Sequence, residues 1–403
     1  MKDERTIERV AREATGRLTA LLARRSGDLA LAEDALSQAL IAALERWPED
    51  GVPKDPEAWL YTVARRKLVG VWRHADVRRR KADAIRHLQT LTTDAESGAP
   101  WPDERLPLLF VCGHEAIDPT IRAPLMLQAV LGMTADTIGP LMGVASKTMG
   151  QRLWRAKTQI KQAGIPFSVP EGDELLRRVT AVLDAIYGLY SAGWTDRAAD
   201  RTAEALWLAE VVTTVLPDHA EAWGLLALLR YADARTAAGR GSAGEYVPFT
   251  KQDPDSWNQE RLDQAEMALH RAQSLASLGP FQLEAAIQSA LVHGQRAGRI
   301  EHASVLALYE GLVAFAPTLG NAVGRAAALA DVKGPTEGLA ALDTLTGTEG
   351  FQPYWAVRAA LLHRAGQPAE AAYEKAIALT ADEAVRTWLM AQRSRIKASS
   401  QRD

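Results

Sequence analysis

Apolar residues recur at spacings of three and four along nearly the whole chain, with Ala and Leu dominating, and this spacing predicts one helix after another. No stretch sustains the period-two alternation of β-branched residues that marks a half-buried strand, so the expected fold class is all-α. The pattern breaks into blocks. Residues 1–86 predict a helix near 5–25, a second near 29–46, a loop WPEDGVPKDP and a basic helix from about 56 to 73. Pro48, Gly51, Pro53 and Pro56 are chain breakers at close spacing and mark the loop. Residues 87–102 are polar and read as a linker. A second folded block covers 103–165, a connector 166–173, and a helical extension 174–400.

The extension hints at repeated helix hairpins. In 354–379 two helices are broken at Gly366 and Pro368, with Trp355 and Leu362 on the first and Ala371, Tyr373, Ala376 and Leu379 on the second. The unit resembles a tetratricopeptide repeat. Weaker hairpins are expected at 204–231, 262–293 and 321–343. The stretch 232–257, rich in Gly, Ser, Thr and Asp, reads as an irregular excursion, long enough to be either functional or disordered.

The segment 132–163 carries the sharpest signal. Thr134 is a suitable N-cap for a short helix from Ala135 to Met142, Gly143 makes a turn, and Ser146 is expected to cap a longer helix to about Ala163. Ile138 and Leu141 are expected to face inward on the first helix. Met149, Leu153, Ala156 and Ile160 form an apolar stripe on the second. Lys147, Thr148, Gln151, Arg152 and Arg155 occupy the other face, and from Lys147 to Lys161 there are five cations and no acid. A capped helix, a tight turn and a basic amphipathic helix predict a helix-turn-helix, which places the start of its second helix in a major groove. Cations meet phosphates there, and Gln and Arg read base edges through paired hydrogen bonds.

Charge is distributed unevenly. The net charge is −3, yet residues 1–86 carry 18 Lys/Arg against 14 Asp/Glu, whereas 172–403 carry 22 against 28. Clustered cations matter more for phosphate binding than the average does. In 59–86 nine Lys/Arg face only Asp76 and Asp83, with Trp59, Tyr61 and Trp72 interleaved. Aromatic rings beside cations suit unstacked single strands, but the tryptophans here are expected to pack and the Arg run to meet phosphate. Cys112 is the single cysteine, which excludes an intrachain disulfide and suits a reducing cytoplasm. The charged N-terminus does not read as a signal peptide, and no run is long enough to predict a membrane span.

Together these segments resemble the extracytoplasmic-function (ECF) sigma factors. ALLARRSGDLALAEDALSQALIAALERWP and PEAWLYTVARRKLVGVWR resemble sigma region 2, and GMTADTIGPLMGVASKTMGQRLWRAK resembles region 4. DERLPLLFVCGHEAI, AGIPFSVP, LYSAGWT, ALWLAEVV, PDHAEAWGLLALL, LGPFQLEAAIQSA and YWAVRAALLHRAG resemble a subgroup in which a helical, tetratricopeptide-like extension follows the sigma core. The resemblance implies that Leu31, Asp34, Leu36 and Gln38 dock on core RNA polymerase. It implies that the loop from Trp47 to Asp55, with Asp50 and Lys54, captures a flipped base of the −10 element. Arg65, Arg66, Lys67 and Arg73 would face the −10 strand, and Lys147, Thr148, Gln151, Arg152 and Arg155 would read the −35 element of promoter DNA. Three departures stand out: the stretch RRKLVGVW lacks the usual polar and acidic residues, Pro140 lies inside the first helix of the helix-turn-helix, and Gly150 replaces a residue that is often basic.

Catalytic and metal signals are weak. His74, His87 and His114 are scattered, and Cys112 with His114 makes half a zinc site at most. There is no GxSxG, Walker loop or HExxH, and no strand precedes Gly239, Gly241 and Gly244. Trp194, Trp207, Trp223, Tyr246, Phe249, Trp257 and Trp355 are expected as inter-helix core. The expectation is a non-enzymatic cytoplasmic protein without cofactor or metal. Its partners would be core RNA polymerase, promoter DNA and a protein or intramolecular partner for the extension. The alternatives are a helix-turn-helix regulator that never engages polymerase and a peptide-binding repeat scaffold tethered to DNA.

Overall fold

The computed structural model describes residues 2–76, 104–130, 132–142, 144–196 and 199–400. The linker expected at 87–102 lies outside them, as does the end of the basic run. Among the described residues the chain is helical, with no named strand and one isolated bridge between Arg240 and Tyr246. Two compact units emerge, Met1–Leu189 and Tyr190–Asp403.

In the first unit, α1 (Lys2–Ser26), α2 (Leu29–Asp50) and α3 (Pro56–Asp76) pack on one another. Asp28 N-caps α2 by accepting from the Leu31 N–H at 3.1 Å, and Asp55 accepts from Ala58 N–H at the start of α3 at 2.9 Å. Leu18, Leu22, Leu36, Leu60, Tyr61 and Leu68 fill the core. Helix α2 runs through Pro48 to Asp50, so the expected loop from Trp47 shortens to 51–55.

Four more helices complete the body of this unit: α4 (Arg105–Cys112), α5 (Pro119–Ala129), α6 (Ala135–Leu141) and α7 (Ser146–Ala163). Six of the eight residues of α4 are buried, Leu106 and Leu108 to Cys112 among them, because α4 is apolar all round and lies inside the unit. Burial pushes the Cys112 thiol far up and leaves it protonated. Helix α1 also packs on α4 and α5. Gly16 permits that approach, since a Cβ there would stand 1.8 Å from the Val130 carbonyl oxygen. Helix α8 (Gly172–Asp196) begins on this unit, where Arg178 is buried and donates to the Phe110 carbonyl at the end of α4 at 3.3 Å.

In the second unit, helices follow one another as packed neighbours: α9 (Ala199–Val215), α10 (Ala220–Ala234), α11 (Gln259–Ser274), α12 (Pro280–Arg296), α13 (His302–Phe315), α14 (Leu319–Lys333), α15 (Pro335–Asp343), α16 (Gln352–Arg364), α17 (Glu370–Leu379) and α18 (Glu383–Ser400). The expected hairpins fall on the pairs α9–α10, α11–α12, α14–α15 and α16–α17. In the last pair Tyr373 and Ala376 are buried as the spacing predicts, but Ala372 joins them in the core in place of Ala371, which is exposed. Glu221 of α10 caps α12, accepting from the N–H groups of Phe281 at 2.8 Å and Gln282 at 3.0 Å. Gly224 allows that contact, because its Cβ would lie 2.7 Å from the Gln282 nitrogen.

The excursion between α10 and α11 is ordered. Arg235 lies 5.0 Å over the Phe249 ring, Phe249 stacks on Trp257 at 5.8 Å and 18°, and Arg296 lies 6.0 Å over the other ring of the stack, Trp257. Further along the chain, Arg240 is ion-paired with Asp382, and Tyr246 meets Trp388 edge-on at 5.6 Å. A four-member ladder of cation and ring thus packs a stretch whose backbone forms three short 3₁₀ turns and the Arg240–Tyr246 bridge.

Candidate nucleic-acid interface

Helix α7 splits into two faces. Met149, Leu153, Ala156 and Ile160 are buried, as the spacing predicts. Lys147, Thr148, Gln151, Arg152 and Arg155 are all exposed on the other side. In front of it, Thr134 caps α6, its hydroxyl accepting from Thr137 N–H at 3.3 Å. Ile138 is buried; the side chains of Pro140 and Leu141 lie outside the description. The turn is tight enough that a Cβ on Gly139 would sit 2.7 Å from the Val144 carbonyl oxygen. Ser146 does not cap α7: Ala145 holds the N-cap position and makes no side-chain hydrogen bond. At the other end Gly164, at φ 61°, donates to Ile160 and Lys161. Gly150 faces α6, where a Cβ would meet the Ala135 methyl at 3.8 Å, an ordinary contact that leaves room for a methyl group.

The other two of the five cations between Lys147 and Lys161 turn toward α2. Lys157 is buried and ion-paired with Glu33 of α2, and Lys161 pairs with Asp28 at 2.6 Å. Burial pushes the Glu33 carboxyl up and outweighs the nearby Lys157 ammonium. Local spacing gives no sign of Lys157's partner, which lies 124 residues away. Trp154 was also missed: its side chain is 65% exposed, within the outward face.

On α3, Arg66 and Lys67 are exposed and Arg65 half-buried, while the side chain of Arg73 lies outside the description. Asp50 and Lys54 are exposed around the shortened loop. Trp47, expected to contact DNA, is a core residue, 2% exposed, with its ring 5.4 Å from that of Trp59 in an edge-on contact. Burial removes the surface a base would need, so its part is to anchor the end of α2 beneath the loop. Tyr61 is also buried, with Arg25 5.6 Å from its ring centroid.

On α2, Asp34 and Gln38 are exposed and Leu31 is half-buried, but Leu36, expected to dock, is buried in the core. The outward face continues instead through Ile41 and Leu44, 55% and 51% exposed. No helix among the described residues is long and apolar enough to cross a membrane. His114 stands 3.9 Å from Glu174, and among the described residues no three His, Cys, Asp or Glu side chains group as metal ligands.

Comparison with known proteins agrees with the first half of this picture. Residues 11–80 match the sigma-70 region 2 family, which spans α1 to α3, and residues 178–273 match a family of unknown function, DUF6596. The N-terminal part therefore carries a sigma-70 region 2 domain, which supports a sigma-factor family for the chain. The chain is also 30% identical over 384 residues to the uncharacterized protein R00370 of Rhizobium meliloti (strain 1021), covering 91% of this chain and 90% of that one, and it belongs to the same family. No solved structure matches. A region 2 domain implies binding to core RNA polymerase and promoter DNA in transcription initiation.

Proposed function

We propose that this chain is an ECF-type sigma factor in which α6 and α7 form a region 4 helix-turn-helix. It would bind core polymerase through the exposed face of α2, bring α7 to the −35 element and set α3 against the melted −10 strand. The observation that carries this reading is the pairing of the region 2 match with a tight turn after the Thr134-capped α6 and a second helix, α7, whose exposed face holds Lys147, Gln151, Arg152 and Arg155 and no acid. Such a face meets phosphates with its cations and base edges with Gln and Arg. The mechanism is non-catalytic: binding the unstacked strand shifts the duplex toward its open form. The acidic helical second unit, tetratricopeptide-like in its hairpins, would regulate or support initiation through a protein or intramolecular contact.

Run-off transcription with core polymerase on the DNA upstream of the coding sequence tests the reading. A discrete transcript that requires the chain, and that is lost when Arg65→Ala and Arg152→Ala are combined, is expected. A chain that binds this DNA but does not retain core polymerase in a pull-down would instead be a helix-turn-helix regulator.

A further inference from the structure

Trp154 is the largest side chain on the outward face of α7, and 65% of it is open to solvent. It is one turn beyond Gln151, two beyond Lys147 and one before Thr158, which places it on the line of the polar, cationic residues and away from the buried stripe. Its backbone carbonyl accepts from the Thr158 hydroxyl at 3.0 Å, an ordinary helix contact. An indole left in water gives up the burial that makes Trp favourable elsewhere. The neighbouring helix α2 meets α7 one and two turns further on, through Lys157 with Glu33 and Lys161 with Asp28, and Trp154, nearer the start of the helix, stays open to solvent.

The surroundings select the occupant. Lys147 and Gln151 share the indole's row, Arg152 and Arg155 lie further round the same exposed face, and the helix has no acidic residue, so the surface is complementary to a polyanion. The major groove of duplex DNA offers phosphates at its rims and one large apolar group on its floor, the thymine 5-methyl. We propose that Trp154 packs against a thymine methyl in the duplex read by α7, making it a specificity-determining residue beside Gln151 and Arg152. The inference rests on the reading of α7 as the −35 helix and adds to it a base preference that hydrogen-bond pairing does not supply.

The test uses the full chain and the duplex it selects from a randomised pool. Each thymine of that duplex is replaced in turn by deoxyuridine, which removes the methyl and leaves the hydrogen-bonding edges intact. At one thymine the exchange should weaken wild-type binding about fourfold, the worth of one buried methyl. Trp154→Ala should bind the unsubstituted duplex at least that much more weakly and be indifferent to deoxyuridine there. Trp154→Gln should behave alike, and unchanged melting of either variant separates the effect from folding. A Trp154→Ala protein that keeps the full deoxyuridine response at every position overturns the inference. So does loss of polymerase retention with unchanged DNA selectivity, which would assign the indole to a protein partner. Arg152→Ala and Arg155→Ala serve as the reference. If they weaken binding and Trp154→Ala does not, only this inference fails. If neither does, α7 is not the reading helix and both fail.

Discussion

At the scale of single residues, the firmest tie within the first unit is the ion pair between Lys157 and Glu33. Lys157 is 9% exposed and Glu33 25%, so each partner is largely withdrawn from water. Removing one charge strands the other. Lys157→Met is expected to cost about 2–3 kcal/mol in urea unfolding, less than the ~3–5 kcal/mol of a fully buried pair because water still reaches Glu33. Glu33→Leu combined with Lys157→Met should return to within about 1 kcal/mol of wild type, since two apolar groups need no counter-charge. An additive double variant would show that the pair is not coupled. Gly16 is the complementary case, a position where nothing can be added. Gly16→Ala drives a methyl into the Val130 carbonyl and is expected to cost about 2–3 kcal/mol, with α1 displaced from the end of α5.

At the scale of elements, helix spacing was legible wherever one face is buried and the other wet. The stripe Met149, Leu153, Ala156 and Ile160 is the example, and the structure buries all four. It was not legible on α2, where Leu36, Ile41 and Leu44 are equally apolar and only packing against α1 and α3 separates the buried Leu36 from the exposed Ile41 and Leu44. Nor does local spacing show that Trp47 turns inward onto Trp59, because the contact is made between two helices. The excursion expected at 232–257 was recognisable by its length, but part of its order comes from partners far along the chain. Asp382 is one of them. Burial alone would raise its carboxyl, but the hydrogen bond from Arg240 and the N–H groups of Val385 and Ala384 outweigh that and hold it below the ordinary Asp range. A lowered acid pKa gives stability that is present above the ordinary value and is lost as pH falls through the lowered one. Asp382→Asn should therefore flatten the acid limb of the stability curve below pH ~4. Hydrogen exchange should quicken at 240–247 in the same variant, and unchanged exchange there would mean that the Tyr246–Trp388 contact holds the excursion unaided.

At the scale of the whole molecule, the first unit sets the packing of α7 on α2 against the reach that promoter binding demands. A compact body of 189 residues is about 40 Å across. The −10 and −35 elements lie about 25 base pairs apart, or ~85 Å at 3.4 Å per pair. If α3 and α7 bind those two elements together, as proposed, the contact between α2 and α7 must open first, and the Lys157–Glu33 pair must break with it. Opening should then be limiting for initiation and sensitive to a covalent lock. Glu33 and Lys157 meet only at the tips of two long side chains, so cysteines at these positions need a bridging reagent, and a bismaleimide with an internal disulfide joins Glu33→Cys to Lys157→Cys, while Cys112 is buried and its thiol stays protonated. Crosslinked in this way, the variant is expected to lose run-off transcription while keeping duplex binding through the outward face of α7. Reduction should restore transcription. Equal activity in the two redox states, with the crosslink verified, would mean that promoter binding does not separate α2 from α7.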